Sequence, residues 1–583
     1  MLWSMAAMAA PATFVSDGIT YCVTDSLSRT VEVTAASAHQ QLTEAVIPAV
    51  VSDGDTEWRV TGIGYGAFFM STLQRIGLSE GLTYIDRLAF RYSALSQVNL
   101  PQSLTTIGYA AFGETLLGGV LEIPDAVTEI GPYAFTYTDI TALRLGRSVR
   151  EIGAQAFWDC HSLTDVGNLP ASLTVIGDGA FDNCGITSVE IPGSVRHIGE
   201  SAFYSSNLQE LVLHEGLETI GEGAFANTNL AAAEIPASVR SVGYGVFSAT
   251  PRLTAIGVAA GNSHYKALDG ILYNIHADSL ICCPGGKTDE VCLPSSVRVL
   301  CNDAFYGCRN LSTVVMNDGL MVVNGMAFEG CEALDSICVP QSIEFWSADM
   351  TSTAWYGRQP DGVVYLGPVA MSKNCKETTL ELRPGTRCIA DYGFSESVAK
   401  KVILPRGLVT IGNGAFAYAN MSSLRIPATV KHIGSSAFNH CGLLKRINFP
   451  KGLESMGSFT LATCQKLGSL VSYCPEPPKP IDWYHYTFGD GTCTLYCPVG
   501  SKEAYEHYYS KAFVVKEVGP LGDLNNDNVT DVDDLNRIIN IVLGRVAKPM
   551  QIYLDYYLLD LDGDSKIDID DVNELLNIMI ERE

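Results

Sequence analysis

Two acidic dodecads near the end of the chain, "DLNNDNVTDVDD" and "DLDGDSKIDIDD", have residue types suited to binding a cation. The first places Asp523, Asn525, Asp527, Val529, Asp531 and Asp534 at positions 1, 3, 5, 7, 9 and 12. The second places Asp560, Asp562, Asp564, Lys566, Asp568 and Asp571 at the same six. A calcium loop takes side-chain oxygens at 1, 3, 5, 9 and 12 and only a backbone carbonyl at 7. Val529 and Lys566 therefore fit, because each lends its C=O. The expected cofactor is calcium, two ions. Residues 521–583 hold 15 acidic and 5 basic residues. Such crowding either repels into disorder or is held by a cation, and the spacing favours the cation.

Each loop runs into an amphipathic helix. Val532, Leu535, Ile538, Ile539 and Val542 share one face, and Ile569, Val572, Leu575, Leu576 and Met579 repeat it 37 residues later. Position 6 holds Asn528 and Ser565 where an EF-hand expects Gly. Gly519, Pro520 and Gly522 leave no entering helix before the first loop. This arrangement resembles a type I dockerin, a calcium-binding module of two loop–helix units. The resemblance implies a cohesin-type partner on a scaffold or cell-surface protein. It also implies partner contacts at loop positions 10 and 11, here Val532, Asp533, Ile569 and Asp570. Many dockerins carry Ser/Thr pairs there, so this chain departs from them.

Everything ahead of the tail must position it or do a separate job. The 583-residue chain is 47% hydrophobic and 17% charged, with a net charge of −26. It is foldable, and it offers no basic stripe for a nucleic acid or an anionic membrane. No apolar run reaches the ~20 residues of a spanning helix. The opening "MLWSMAAMAAPATF" resembles the tail of a secretory signal without its basic start, so residues 1–13 are read as a signal remnant.

The pattern (I/V)-G-x-x-A-F and its looser copies recur from Phe68 to Phe247, then at Phe305, Phe328, Phe394, Phe416, Phe438 and Phe459, with a period near 22 outside two gaps. A period in this range means a solenoid. Each unit reads as a short alternating strand such as Val189-Glu190-Ile191, a stop at Pro192, a second extended piece, and a glycine (Gly199, Gly221) where the chain turns. Rungs stacked ~4.8 Å apart bury Phe, Ile and Leu as columns, and about fifteen make a rod of roughly 70 Å. Cys160, Cys184, Cys308, Cys331 and Cys441 follow their Phe by three residues, where other rungs have Ser206 or Thr228. Those copies need no bond, so buried free thiols are expected.

"ITSVEIPGSVRHIGESAF" resembles the BspA-like leucine-rich repeat of secreted bacterial proteins, and the likeness runs over about residues 14–515. It implies an N-terminal β-cap at 14–60 and a repeat solenoid at 61–470. It implies hairpin insertions near 262–294 and 355–385, opened by Asp269-Gly270 and Asp361-Gly362, and a closing β-unit at 471–518. The expected fold is thus a β-rich α/β, right-handed leucine-rich-repeat-like solenoid, followed by a small all-α calcium module at 521–583. The resemblance also implies adhesion to an extracellular macromolecule, from a secreted or cell-surface position in a bacterium.

An enzyme would need more than this. No acidic pair stands clear of the repeat to form a glycosidase cleft, and no G-x-S-x-G or H-E-x-x-H occurs. His161, His197, His432 and His440 occupy variable slots and read as exposed coil. Cys493 and Cys497 read as core, and His276 with Cys282 and Cys283 falls short of a zinc site. No catalytic residue is expected. The alternative function is a polysaccharide-binding or polysaccharide-degrading component of a cellulosome-like complex; Trp346, Trp355, Tyr356, Trp483, Tyr484 and Tyr486 are its candidate sugar-binding aromatics, with local core as the other reading of them.

Overall fold

The structure is a computed structural model that describes residues 12–288, 290–478, 493–509, 513–518, 530–545 and 569–580. Most of the expected signal remnant, both acidic dodecads up to Val529 and Asp568, and Trp483, Tyr484 and Tyr486 lie outside them. Two compact units are present. The first is Met1–Val314 with Met326–Asp335 and Ser352–Ala354; the second is Val315–Gly325, Ser336–Thr351 and Trp355–Glu583.

In the first unit the chain begins as an antiparallel hairpin. Ser16 pairs with Ile19 across the tight turn Asp17-Gly18, where both residues have positive φ. From Glu57–Ile63 onward, parallel two-residue strands stack rung on rung, in register from Ile85 through Ile107, Ile130, Ile152, Ile176 and Ile198 to Ile220. The longer strands form only short sheets, such as Ser188–Ile191 on Glu210–Leu213. The weaker strand signal therefore builds the longer sheet, because every rung repeats it at one register. Val189 and Ile191 face the core and Glu190 faces solvent, as period-2 alternation predicts.

The Phe column is the core of this unit. From Phe68 to Phe247 the rings stack at centroid distances of 5.1–5.7 Å and are fully buried. His39 closes its N-terminal end, stacked 5.0 Å from Phe68. Thr20 N donates to its Nε2 and its Nδ1 bonds Ala67 O, so the ring is neutral, and burial pushes its pKa down.

The glycine after the Ile column does not make the turn. A Cβ on Gly177 would lie 2.7–2.9 Å from Ala154 N, Gly153 C and Ile152 O of the preceding rung. Glycine sits there because two backbones touch. The turns fall two residues before and two after each Phe, at pairs such as Tyr133/Tyr137, Gln155/Asp159 and Ser201/Ser205, all with positive φ. Their left-handed cost is offset because each N–H finds the next rung: Tyr133 N donates to Ala154 O and Tyr137 N to Trp158 O, both at 2.9 Å.

The second unit repeats the plan. Phe394, Phe416 and Phe438 stack at 5.7 and 5.9 Å. The expected next member, Phe459, is instead 37% exposed and has positive φ. Leu461 takes the Phe slot, with Met456-Gly457 and Thr460 in their repeat positions and Cys464 three residues on. An aromatic two residues out of register drew the pattern away from the smaller side chain that packs. The strands Arg446–Phe449, Ser469–Ser472, Thr494–Pro498 and Val514–Val518 end the stack in parallel. Helix Lys502–Tyr509 lies between the last two, and the buried Tyr505 hydroxyl bonds Ser472 Oγ at 2.7 Å and Cys474 O at 2.9 Å.

Both hairpins are present, with different turns. Asp269-Gly270 caps Tyr265–Leu268 and Ile271–Asn274 with φ of 49° and 71°. In the second hairpin Gly362 starts a strand and pairs with Lys373, and the turn is Gly367-Pro368. Gly367 has φ 58°, the requirement at the first central position of a type II′ turn.

Candidate functional site

Of the twelve loop positions, the structure describes Asp531, Asp534 and Asp571. Asp531 is the N-cap of helix Val532–Val542 and has extended backbone. Its Oδ1 accepts from Asp533 N, and its own N–H donates to Asp534 Oδ2, both at 2.9 Å. This is a capping box built from two aspartates. Asp534 and Asp571 are both fully buried, 37 residues apart at the heads of the two helices. A carboxylate is costly to bury without hydrogen bonds or a counter-charge. The oxygen-only donor set suits a hard divalent cation. Asp523, Asn525, Asp527, Val529, Asp560, Asp562, Asp564, Lys566 and Asp568 lie outside the described residues. Among the described residues no three His, Cys, Asp or Glu side chains converge as a metal site.

The tail helices, Val532–Val542 and Ile569–Ile580, pack together through Ile538, Ile541, Val572 and Leu575. Leu535, Ile539 and Val542 flank that cluster. Val532 and Ile569, counted in the apolar stripe, are instead 57% and 59% exposed, and Leu576 is exposed too. A residue at a helix's first position points away from the contact made a turn later. Exposed Val532, Asp533 and Ile569 remain available to a partner; the Asp570 side chain lies outside the description. The same cluster includes Val471, Tyr496 and Val518 from the closing strands, so the tail helices rest on the end of the second unit's sheet. Nothing in the sequence signals this contact, because those strand residues look like ordinary core.

In the first unit the turn segments carry a row of large residues, nearly all aromatic, that the repeat pattern alone does not place. Tyr65, Met70, Tyr92, Tyr109 and Tyr137 are exposed, and Phe69, Tyr133 and Trp158 are half-buried beside them. They interlock between rungs: Phe69 with Tyr92 at 5.8 Å, Tyr109 with Tyr133 at 5.3 Å, and Tyr137 with Trp158 at 4.9 Å. Arg87 and Arg91 lie over the rings of Tyr109 and Tyr92, 4.9 and 4.8 Å from their centroids. Arg91 also pairs with Glu114 at 2.6 Å. The signal for this row was the offset from Phe: residues three or two before, one after and two after it share a face once the turns are known.

The expected sugar-binding aromatics behave otherwise. Trp346 is fully buried, its Nε1 donating to Ala348 O at 3.0 Å. The Tyr356 hydroxyl donates to Ser372 O at 2.9 Å, and its ring lies under Lys373. Tyr356 packs the second hairpin, and Trp346 is core of the stack. The histidines are not all coil: His197 and His432 sit in strands and bond Thr219 Oγ1 at 2.9 Å and Ser455 Oγ at 2.8 Å in the next rung.

All 17 cysteines carry free thiols. In the Phe+3 column, Cys184 donates to Phe157 O at 3.0 Å and Cys331 to Phe305 O at 3.0 Å, each one rung back. Ser206 and Thr228 bond the carbonyl of their own Phe instead, at 2.8 and 2.9 Å. Cys493 and Cys497 are buried core, and so are Cys282 and Cys283, with His276 exposed. Among the described residues no helix is long and apolar enough to cross a membrane.

The structure is similar to a leucine rich cell surface protein from Faecalibacterium prausnitzii (21% identity, TM-score 0.40, covering 80% of this chain and 95% of that one). It is similar to a leucine-rich repeat protein from Bacteroides ovatus (21%, 0.40, 87% and 99%). A third likeness is to the pneumococcal vaccine antigen PcpA (18%, 0.31, 87% and 100%). No curated protein matches the chain. The BspA type Leucine rich repeat region matches in six copies over residues 55–141, 128–254, 282–350 and 370–475. With repeats over most of its length, the chain belongs to the BspA-type leucine-rich repeat family.

Proposed function

We propose that this is a non-catalytic extracellular binding protein of a bacterium, whose solenoid holds a macromolecular ligand and whose tail attaches it to a partner. The observation that carries the reading is the exposed aromatic row from Tyr65 to Trp158. Tyr, Trp and Arg are the residues that dominate protein interfaces, and their recurrence at or near the surface over successive rungs marks a contact surface. The ligand class is protein rather than sugar. A sugar stacks on an open ring face, and Arg87 and Arg91 already cover two of these faces. Immobilised full-length chain should bind members of an extracellular-protein array. Tyr92→Ala with Tyr137→Ala should weaken that binding at least tenfold, and a glycan array should stay blank. Glycan binding lost in the same variant would transfer the function to the polysaccharide alternative.

The tail reading is a dockerin with two calcium ions, docking to a cohesin-type module through Val532, Asp533, Ile569 and Asp570. It is supported by the matched dodecads and by the burial of Asp534 and Asp571 at matched helix heads. Elemental analysis of dialysed protein should find two calcium ions per chain. Asp523→Asn and Asp560→Asn should each remove one. A chain that retains no calcium would end this reading and leave the solenoid's role untouched.

A further inference from the structure

Further along the same face, the side-chain columns read differently. In the rungs of Phe203, Phe225, Phe247 and Phe305, the residue after Phe is Tyr204, Ala226, Ser248 and Tyr306. The residue two before Phe is Ser201, Gly223, Gly245 and Asp303. Two consecutive rungs thus carry small residues in both columns, between two tyrosines. The turn of the Phe305 rung meets that of the Phe247 rung, Ala249 N donating to Tyr306 O at 3.1 Å, although the hairpin separates them in sequence and its Cys282-Cys283 lies between them in the core. A Cβ on Gly245 would lie 2.8 Å from Asp303 Oδ2, so the carboxylate leans over the glycine floor.

The result is a pocket of about 260 Å³, walled by Tyr204 and Tyr306 and rimmed by Glu200, Glu222 and Asp303. Among the described residues, no Lys, Arg or His lines it. Asp303 has a raised pKa, from burial first and then from the charges of Glu222 and Glu329. The volume far exceeds the roughly 30 Å³ share of one water, so it suits a side chain rather than a bare ion. Aromatic walls and a carboxylate rim together select a cation on an apolar stem.

We propose that this trough receives a lysine side chain of the solenoid's protein ligand: the ammonium at the carboxylates, the methylenes against the tyrosine rings. The proposal rests on the reading of the solenoid as a protein-binding surface and adds what it selects. The test is ligand-observed NMR on the full chain, titrated with Nα-acetyl-lysinamide and its uncharged isostere Nα-acetyl-norleucinamide. The lysine probe should bind saturably in the millimolar range, at least tenfold tighter than the isostere. Glu222→Gln and Asp303→Asn should each weaken it about fivefold, and Ala226→Tyr, which fills the trough, should abolish it. Glu222 is a surface residue, so its variant keeps the proposal testable if the other two fail to fold. Equal affinity for the two probes, no saturable binding, or indifference to Glu222→Gln overturns the proposal. So does displacement of the lysine probe by calcium chloride that Glu222→Gln prevents, which would make the site a metal site. Retained capture of the protein ligand by Glu222→Gln, with the aromatic-row variant defective, would sink the trough and spare the broader function.

Discussion

The stack from Phe68 to Phe247 and the tail from 530 to 580 solve the same problem in opposite ways. Neither can bury much apolar surface within one repeat. The stack solves this with more copies: each rung's Phe, Ala and Ile are covered by the next, and its turn N–H groups are satisfied by the next rung's carbonyls. The tail has only two copies. Among the described residues, its buried apolar contact is Ile538, Ile541, Val572 and Leu575, resting on Val471, Tyr496 and Val518 of the closing sheet. It also buries two carboxylates. Stability that comes from repetition is distributed and needs no cofactor. On the dockerin reading, stability that comes from two acidic units depends on the ions bound between their carboxylates.

Calcium removal therefore breaks the comparison most visibly. On the dockerin reading, ion-binding free energy is folding free energy for the tail and nothing to the stack. Hydrogen exchange with a chelator should show residues 530–580 losing protection wholesale while residues 60–250 stay unchanged. Equal protection in both regions, with and without chelator, would mean that packing on the closing strands suffices to hold the tail.

Within the stack, the interior should be the next most sensitive. Phe157→Ala removes a ring that stacks at 5.5 and 5.3 Å on its two neighbours, and should cost about 3–5 kcal/mol. Gly177→Ala tests the close approach of two backbones. The Gly177 φ is ordinary, so a turn would tolerate alanine, whereas the contact below 3 Å should cost about 1–3 kcal/mol. Denaturant melts of both variants separate the two ideas.

What was legible in the sequence follows the same divide. The Phe, Ala and Ile columns were readable because burial constrains their type at a fixed period. The turns were not, since positive φ is spread over Tyr137, Gln155, Asn183 and Ser205, residues whose strain is relieved only by the neighbouring rung. Phe459 misled because hydrophobic pattern has no register of its own; Leu461 packs there. The aromatic row and the trough depend on columns that exist only once the turns are placed. The trough also needs Asp303 to meet Gly245 across a hairpin. In the tail, helix period and spacing gave the packing pair, but not the sheet end on which it rests.

The turn face should respond more gently, and to pH. Asp182 has a pKa raised to about 6, from burial first and the charge of Asp159 second. Its folded value lies above the unfolded one of about 3.9, so the group's stabilisation is full below pH 4 and lost as pH rises through 6. Asp182→Asn should therefore stabilise the chain at pH 7.5, by about 1 kcal/mol after solvent screening, and change nothing at pH 3.5. A thermal-melt series over pH 3.5–8 checks both ends. A gain of equal size at every pH would assign the effect to the amide's hydrogen bonds.

The smallest effect lies in the Phe+3 column, where some rungs carry a thiol and others a hydroxyl. Cys184 donates one rung back and Thr228 to its own Phe, so both chemistries satisfy the slot with different carbonyls. Cys184→Thr should cost under about 1 kcal/mol. Burial raises the Cys160 thiol to about 11, so at pH 8 it presents almost no thiolate. A disulfide reagent on the native chain should reach exposed Cys338 first. Exposed Cys292 should lag, because its thiol donates to Glu290 Oε1 at 3.0 Å and its pKa is raised by that bond. Glu290→Gln should bring Cys292 level with Cys338. The buried column should react only as the rungs unstack, at a rate set by unfolding. If Cys160 reacted as fast as Cys338, the stack would be opening locally at that rung, and the idea that repetition shares stability evenly would fail there.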